Sequence, residues 1–240
     1  MSNESFSLNP SLDATRLAER YRIDRRIDIP DFLRPGQAEV LRDHLLARPD
    51  WVMVMNAGDR VYELPRSKMQ ELSEEQRRQL DASVIGAARN GFQYRFDSIR
   101  APDGGGTDTL LDRFVSFMSS PGTLGFLATV TGHPDLHLAD GQATSYRAGD
   151  FLTEHDDDVA GKNRRAAYVF GITSAWSSDW GGLLMFPNED GRTVQAFPPG
   201  MNRLRLFSVP ARHSVSYVAA FADQSRLSVT GWLRARHSSE

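Results

Sequence analysis

The segment Tyr146-Arg147-Ala148-Gly149-Asp150-Phe151-Leu152-Thr153-Glu154-His155-Asp156-Asp157-Asp158 places an imidazole and a carboxylate two residues apart, at His155 and Asp157. On an extended strand, residues two apart point to the same side, so both groups can converge on one cation while Asp156 points away. His213 follows 56 residues after Asp157. Two histidines and one carboxylate leave three coordination positions open, a set that suits non-haem iron(II) and a co-substrate bound beside O₂. His-x-Asp by itself is common and also fits a solvated acidic loop. The run Asp156-Asp157-Asp158 could suggest calcium, but it lacks the glycine and terminal glutamate of an EF-hand loop.

Arg226 stands 13 residues after His213, in Ser225-Arg226-Leu227-Ser228-Val229-Thr230-Gly231-Trp232. Arg226 and Ser228 share a strand face. A guanidinium there can hold a carboxylate through two parallel hydrogen bonds, with the Ser228 hydroxyl adding a third. Tyr146, nine residues before His155, can offer a phenol to the same carboxylate. The set describes a metal site backed by a carboxylate anchor. A 2-oxo acid fits it, with one end chelating the metal and the far carboxylate meeting Arg226.

These residues need elements to position them, and the chain divides into two textures. Up to about residue 130, apolar residues recur at helical spacing over Leu12 to Tyr21, Pro35 to Ala47, the run to Ala88 that follows a capping box at Ser73 and Gln76, Leu110 to Met118, and Thr123 to Thr131. Gly91 to Arg100 alternates aromatic and polar residues, as a strand or an extended flap does. The glycines Gly104, Gly105 and Gly106 after it read as a flexible turn, with no phosphate-loop pattern beside them. The second half holds short β-rich runs: His137 to Tyr146, Arg165 to Thr173, Gly182 to Pro187, Thr193 to Phe197, Arg203 to Val209, Ser214 to Val218 and Arg226 to Leu233. Asn188 to Gly191 and Pro198 to Gly200 read as turns between them. This spacing predicts a sandwich or barrel. The fold class expected is α+β, mainly β: a double-stranded β-helix (jelly roll) with supporting N-terminal helices. It forms one domain over 1–240, with a helix-rich part at 10–132 and a catalytic core at 133–235.

Composition narrows the function classes. The chain has 240 residues, 40% hydrophobic and 25% charged, with a net charge of -3. That is ordinary for a soluble globular protein and unlike a basic chain built to grip nucleic acid. There is no cysteine, so any metal is held by His, Asp or Glu, and a reducing, cytoplasmic setting is expected. No apolar run is long enough to span a bilayer, and Met1 to Pro10 lacks the pattern of a signal peptide.

With those motifs in place, the chain resembles the Fe(II)- and 2-oxoglutarate-dependent dioxygenases, in their prolyl hydroxylase-like branch. The likeness runs from about Leu136 to Arg234. It includes Tyr146 to Leu152 before His-x-Asp, the Trp176 to Gly182 turn ending in Gly-Gly, His213, and the closing Arg226 to Trp232 run, which looks most like that of ribosomal-protein prolyl hydroxylases. The resemblance implies that His155, Asp157 and His213 ligate iron. It implies that Arg226 pairs with the distal carboxylate of 2-oxoglutarate, with Tyr146 and Ser228 assisting. Some relatives carry another tyrosine on the strand after His-x-Asp, and Tyr168 is the nearest match. The implied reaction consumes O₂ and 2-oxoglutarate, releases succinate and CO₂, and hydroxylates a C–H bond, with ascorbate as a reductant. The implied substrate is a prolyl residue of a protein or peptide. A free amino acid or other small molecule is the alternative substrate, and a binding module without turnover is the alternative of another class. The eukaryotic ribosomal-protein enzymes carry a second jelly-roll domain, which is not expected here.

Of the remaining histidines, His44, His133 and His137 read as packing residues and His237 as part of the tail. Arg212 is either an electrostatic guide for an anion or a solvated charge. Trp232 reads as a core residue that walls the site. Phe92, Tyr94, Phe96, Trp176 and Trp180 divide between core packing and a mobile segment over the substrate, Gly91 to Gly106.

Overall fold

Four helices begin on side-chain caps, which satisfy amides that the first turn leaves unpaired. A computed structural model describes residues 5–236 except 189. Its helices are α1 (Ala14–Asp24), α2 (Gln37–Leu46), α3 (Arg66–Glu71), α4 (Glu74–Ala88), α5 (Leu110–Met118) and α6 (Pro121–Thr131). Asp13, Ser73, Thr109 and Ser120 cap α1, α4, α5 and α6, and Ser73 with Gln76 closes the capping box expected from the sequence. Pro121 starts α6, because the first helical position needs no amide donor.

The strands are β1 (Arg26–Pro30), β2 (Val52–Ala57), β3 (Arg60–Pro65), β4 (Tyr94–Arg100), β5 (Leu136–Ala139), β6 (Gln142–Tyr146), β7 (Phe151–His155), β8 (Arg164–Ile172), β9 (Leu184–Pro187), β10 (Val194–Phe197), β11 (Met201–Ser208), β12 (His213–Val215) and β13 (Arg226–Ala235). They pair in the order β1-β11-β8-β13-β6-β4-β7-β12-β9-β10, with β2 on β4, β3 on β2 and β5 on β13. The two ends of this path meet. Arg26 of β1 hydrogen-bonds Gln195 of β10, and its guanidinium lies over Phe186 of β9. The sheet is therefore curled into the expected jelly roll.

Strand parity assigns the two faces. Tyr168, Phe170, Leu204, Leu206, Leu227 and Val229 point outward and pack with Leu111, Phe114 and Leu127 of the helices. Phe114 stacks on Phe170 with ring centroids 4.9 Å apart. The alternate residues point into the roll, in one cluster of Ala167, Val169, Leu184, Phe186 and Phe207 and another of Val54, Phe96, Tyr146, Val215 and Val218.

The stretch 10–132 contributes four strands as well as helices, and β4 lies in the middle of the sheet path. Gly91 to Arg100 is therefore not a flap: from Tyr94 on it is a regular strand paired to β2, β6 and β7. The glycines after it are packed, because a Cβ on Gly105 would stand 2.1 Å from the Ser116 amide nitrogen of α5. The turn after β9 closes through the Gly191 amide on the Asn188 carbonyl at 2.9 Å, although its Glu189 lies outside the described residues. His237 and residues 1–4 also lie outside them. Among the described residues no helix is long and apolar enough to cross a membrane.

Candidate metal centre

His155 ends β7 and His213 begins β12, and the two are cross-strand partners. Their rings stand side by side with centroids 4.1 Å apart. Each ring's Nδ1 faces a backbone carbonyl two residues upstream: Thr153 O at 3.1 Å for His155 and Ala211 O at 2.7 Å for His213. A carbonyl only accepts, so Nδ1 carries the proton and each Nε2 presents a lone pair. Asp157 completes the group. Its carboxylate oxygens lie 3.3 Å from His155 Nε2 and 3.5 Å from His213 Nε2. Ligand atoms of the three residues all fall within 4.8 Å of one another.

Asp157 reaches this position by a route that strand parity does not describe. β7 ends at His155, and Asp157 has left-handed backbone at φ +65°. That region is uncommon for a residue other than glycine. The neighbour Asp156 caps its own turn by accepting from the Asp158 amide at 3.0 Å.

The electrostatics favour a bound cation. Burial pushes the Asp157 carboxyl up, but His155, His213 and Trp232 outweigh it and hold the group below the ordinary carboxylate value. Burial, reinforced by His155, pushes the His213 imidazole down. An ionised carboxylate beside a neutral buried imidazole is the donor set that iron(II) requires. The described residues therefore fit that ion.

The cavity in front of this group has a volume of about 250 Å³. Its far wall is Arg226 and Tyr146, which are direct partners across β13 and β6. The Arg226 guanidinium lies over the Tyr146 ring, 4.9 Å from its centroid, and that ring also stacks on Phe96. Arg226 is 3% exposed, and burial lowers its pKa. Its hydrogen bond is a long one, Nη1 to Ser228 Oγ at 3.5 Å, and no carboxylate among the described residues pairs with it. Two glycines let the chain pass over its stem. Gly181 and Gly182 have φ of +71° and +62°, and a Cβ on Gly182 would lie 3.3 Å from Arg226 Cδ. Burial also raises the Tyr146 hydroxyl far above its ordinary value.

The other candidates are placed differently. Ser228 lies behind Arg226, with its hydroxyl 2.9 Å from Thr144 Oγ1. Tyr168 does not join the anchor. It sits on the outward face of β8, its ring belongs to the helix-side core, and its hydroxyl donates to the Asp140 carbonyl at 2.8 Å. The inward positions of that strand are Ala167 and Val169, so the one-residue register decides the matter. Arg212 pairs with Glu154 on the exposed side and is spent there. His44 packs in α2, and His137 bonds the Arg234 carbonyl.

Sequence reasoning missed Thr144, although it lies two residues before Tyr146 and so shares its face. It also missed Val54, Val61 and Arg100, which border the cavity from β2, β3 and β4. Their pairing spans distant parts of the chain and leaves no local signal.

With this geometry in hand, comparisons place the chain among known proteins. Residues 141–234 match the family model described as the 2OG-Fe(II) oxygenase superfamily. No curated protein sequence matches the chain. Among solved structures, a Pseudomonas putida prolyl-4-hydroxylase aligns with TM-score 0.61 at 16% identity, covering 94% of this chain and 100% of that one. A Trichoplax adhaerens prolyl hydroxylase, solved with a hypoxia inducible factor peptide, aligns with TM-score 0.61 at 15% identity, over 92% and 89% of the two chains. The non-heme alpha ketoglutarate dependent epimerase SnoN from nogalamycin biosynthesis aligns with TM-score 0.55 at 16% identity, over 92% and 82%. At these identities the likeness is one of fold. His155, Asp157, His213 and Arg226 all fall inside residues 141–234, the stretch that matches the 2OG-Fe(II) oxygenase superfamily model, and the first three form a His-Asp-His group there.

Proposed function

We propose that the protein hydroxylates a prolyl residue of a protein or peptide. His155, Asp157 and His213 would hold the iron on one face and leave the cavity side open. Iron(II), when bound, supplies O₂-dependent oxidative decarboxylation of 2-oxoglutarate to succinate and CO₂, coupled to oxidation of a C–H bond, with ascorbate as an external reductant. The protein's own part is positioning. Arg226 receives the distal carboxylate of 2-oxoglutarate, the Tyr146 hydroxyl donates to it, and Ser228 with Thr144 steadies the guanidinium from behind. Phe96 shields the tyrosine ring from water, so the charge pair forms in a dry setting where it is strong.

The observation that carries the anchor is the buried arginine without an acidic partner, since an unpaired buried cation is costly unless a ligand anion completes it. The prolyl reading rests on the cavity mouth. Val61, Phe92 and Tyr94 offer apolar and aromatic walls, and Phe92 is 49% exposed, 5.5 Å from the His155 ring. Such walls suit a neutral, compact ring carried on a chain. The solved prolyl hydroxylases that share the fold support the same direction, as does a cysteine-free chain for a cytoplasmic setting.

Two measurements test this. Adding Fe(II) and 2-oxoglutarate without O₂ is expected to give a weak visible charge-transfer band that His155→Ala and Arg226→Ala lose. Absence of the band in folded, iron-loaded protein overturns the co-substrate assignment. With O₂ and proline-containing peptides, a gain of one oxygen on proline is expected. Succinate release that responds only to free amino acids removes the peptide reading.

A further inference from the structure

Asp157 holds its carboxylate between two imidazoles from left-handed backbone, a conformation uncommon outside glycine. Such a conformation persists where surrounding contacts fix it. One contact on the backbone of Asp157 is Arg164, the first residue of β8. Its Nη1 donates to the Asp157 carbonyl oxygen at 2.9 Å. The guanidinium carbon lies 3.6 Å from the centroid of the Trp232 ring on β13, close enough for the two planes to stack. Trp232 is itself anchored, because its amide donates to Asp140 Oδ1 at 2.8 Å. The chain from the sheet to the carboxylate is therefore continuous: Asp140 fixes Trp232, Trp232 carries Arg164, and Arg164 fixes the peptide of Asp157.

We infer that Arg164, stacked on Trp232, is a positioning residue that sets the rotation of Asp157 and thereby the geometry and affinity of the metal site. The inference rests on the reading of His155, Asp157 and His213 as ligands. Trp232 contributes mainly as a platform. Its Nε1 is buried and makes no hydrogen bond, although it lies close enough to the Asp157 carboxylate to favour the ionised form. Beyond the backbone contact, the charges of Asp157, Asp140 and Arg234 all act on Arg164.

Co(II) titration tests this, read by visible absorption and by tryptophan fluorescence, with no turnover required. Wild type is expected to bind, and His155→Ala to lose binding. Arg164→Ala is expected to weaken Co(II) binding by roughly 10- to 100-fold, the usual effect of losing support behind a metal ligand, and to change the band shape. Arg164→Lys, which keeps a donor on a long stem, is expected to recover part of the affinity. Trp232→Phe, which keeps a flat ring, is expected to stay within about threefold. The melting temperatures of the metal-free variants separate a positioning effect from general unfolding. If wild type does not bind, or His155→Ala binds as well as wild type, the ligand reading fails. If wild type and His155→Ala behave as expected while folded Arg164→Ala binds Co(II) with unchanged affinity and spectrum, the Arg164 inference is overturned and the ligand reading stands.

Discussion

Two buried arginines on the same curled sheet have opposite surroundings. Arg95 of β4 points outward and is saturated. Its Nε donates to Asp150 at 3.0 Å, its Nη2 to the Gly149 carbonyl at 2.8 Å, and its Nη1 to Asp81 of α4. Around it, Asp97 takes Arg66 and Arg147. Arg226 of β13 points inward and has a tyrosine face and one long bond to a hydroxyl. Another inward arginine, Arg205 of β11, has Asp28 at 3.4 Å and the Pro198 carbonyl. The fold therefore pairs its structural arginines and leaves Arg226 short. An arginine completed by the protein stabilises the fold, whereas one left incomplete is reserved for a ligand.

The largest expected effect comes from breaking the saturated cluster. Arg95→Met leaves Asp150 buried without its charge partner, which costs about 3–5 kcal/mol. For a chain of this size that is a fall of roughly 10 °C in melting temperature, measurable by calorimetry. Arg226→Met has the opposite signature. It removes an unpaired buried cation, so the melting temperature is expected to be no lower than that of wild type, while binding of 2-oxoglutarate is lost. A fall in stability equal to that of Arg95→Met would erase the distinction between the two arginines.

Arg226→Lys sharpens it further. Lysine keeps the charge but loses the planar fork. Loss of one hydrogen bond between charged groups is about 1.5–3 kcal/mol, or roughly ten- to hundredfold. That loss is expected in the KM for 2-oxoglutarate, with a smaller change in kcat.

The two tyrosines follow the same contrast at lower amplitude. Tyr146→Phe is expected to raise the KM for 2-oxoglutarate and leave stability close to wild type, since its hydroxyl has no hydrogen-bond partner among the described residues. Tyr168→Phe is expected to do the reverse. It removes the bond to Asp140 O, costing about 1 kcal/mol of stability and leaving KM unchanged. A raised KM in Tyr168→Phe would return that residue to the anchor.

These pairs also show what the sequence makes legible. Arg226, Ser228 and Tyr146 lie on regular strands, where alternation fixes the side of every residue, and Arg226 faces Tyr146 as the spacing implies. The capped helices are legible for a similarly local reason. The side that Tyr168 takes was not legible, because alternation gives the side only once the register is known, and register is set by pairing with β11 and β13 far along the chain. Asp157 does stand with His155 and His213, but strand parity does not bring it there. The strand stops before it, and a left-handed residue turns the carboxylate back. Its support from Arg164 depends on that local turn, so no spacing rule could have reached it. β1 and the inner position of β4 were hidden for the reason that governs all sheets of mixed sequence order: their partners are distant.

The smallest effect concerns Asp150, which links the saturated cluster to the turn between Tyr146 and His155. Burial, the largest influence, raises its carboxyl from 3.8 to about 6, against the Arg147 amide and the Arg95 charge, which pull it down. An acid whose folded pKa exceeds its unfolded one binds more protons when folded. Its contribution to stability is therefore greatest below about pH 4 and declines as pH rises to about 6. Above that it stays constant, because both states are then ionised. Asp150→Asn removes the titration. The difference in melting temperature between wild type and Asp150→Asn is expected to change between about pH 4 and 6, with wild type losing ground as pH rises, and to be flat from pH 7 to 8. A flat difference across the whole range would mean that the Arg95 charge, rather than burial, governs this carboxylate, and that the outward cluster is held together more strongly than its burial alone implies.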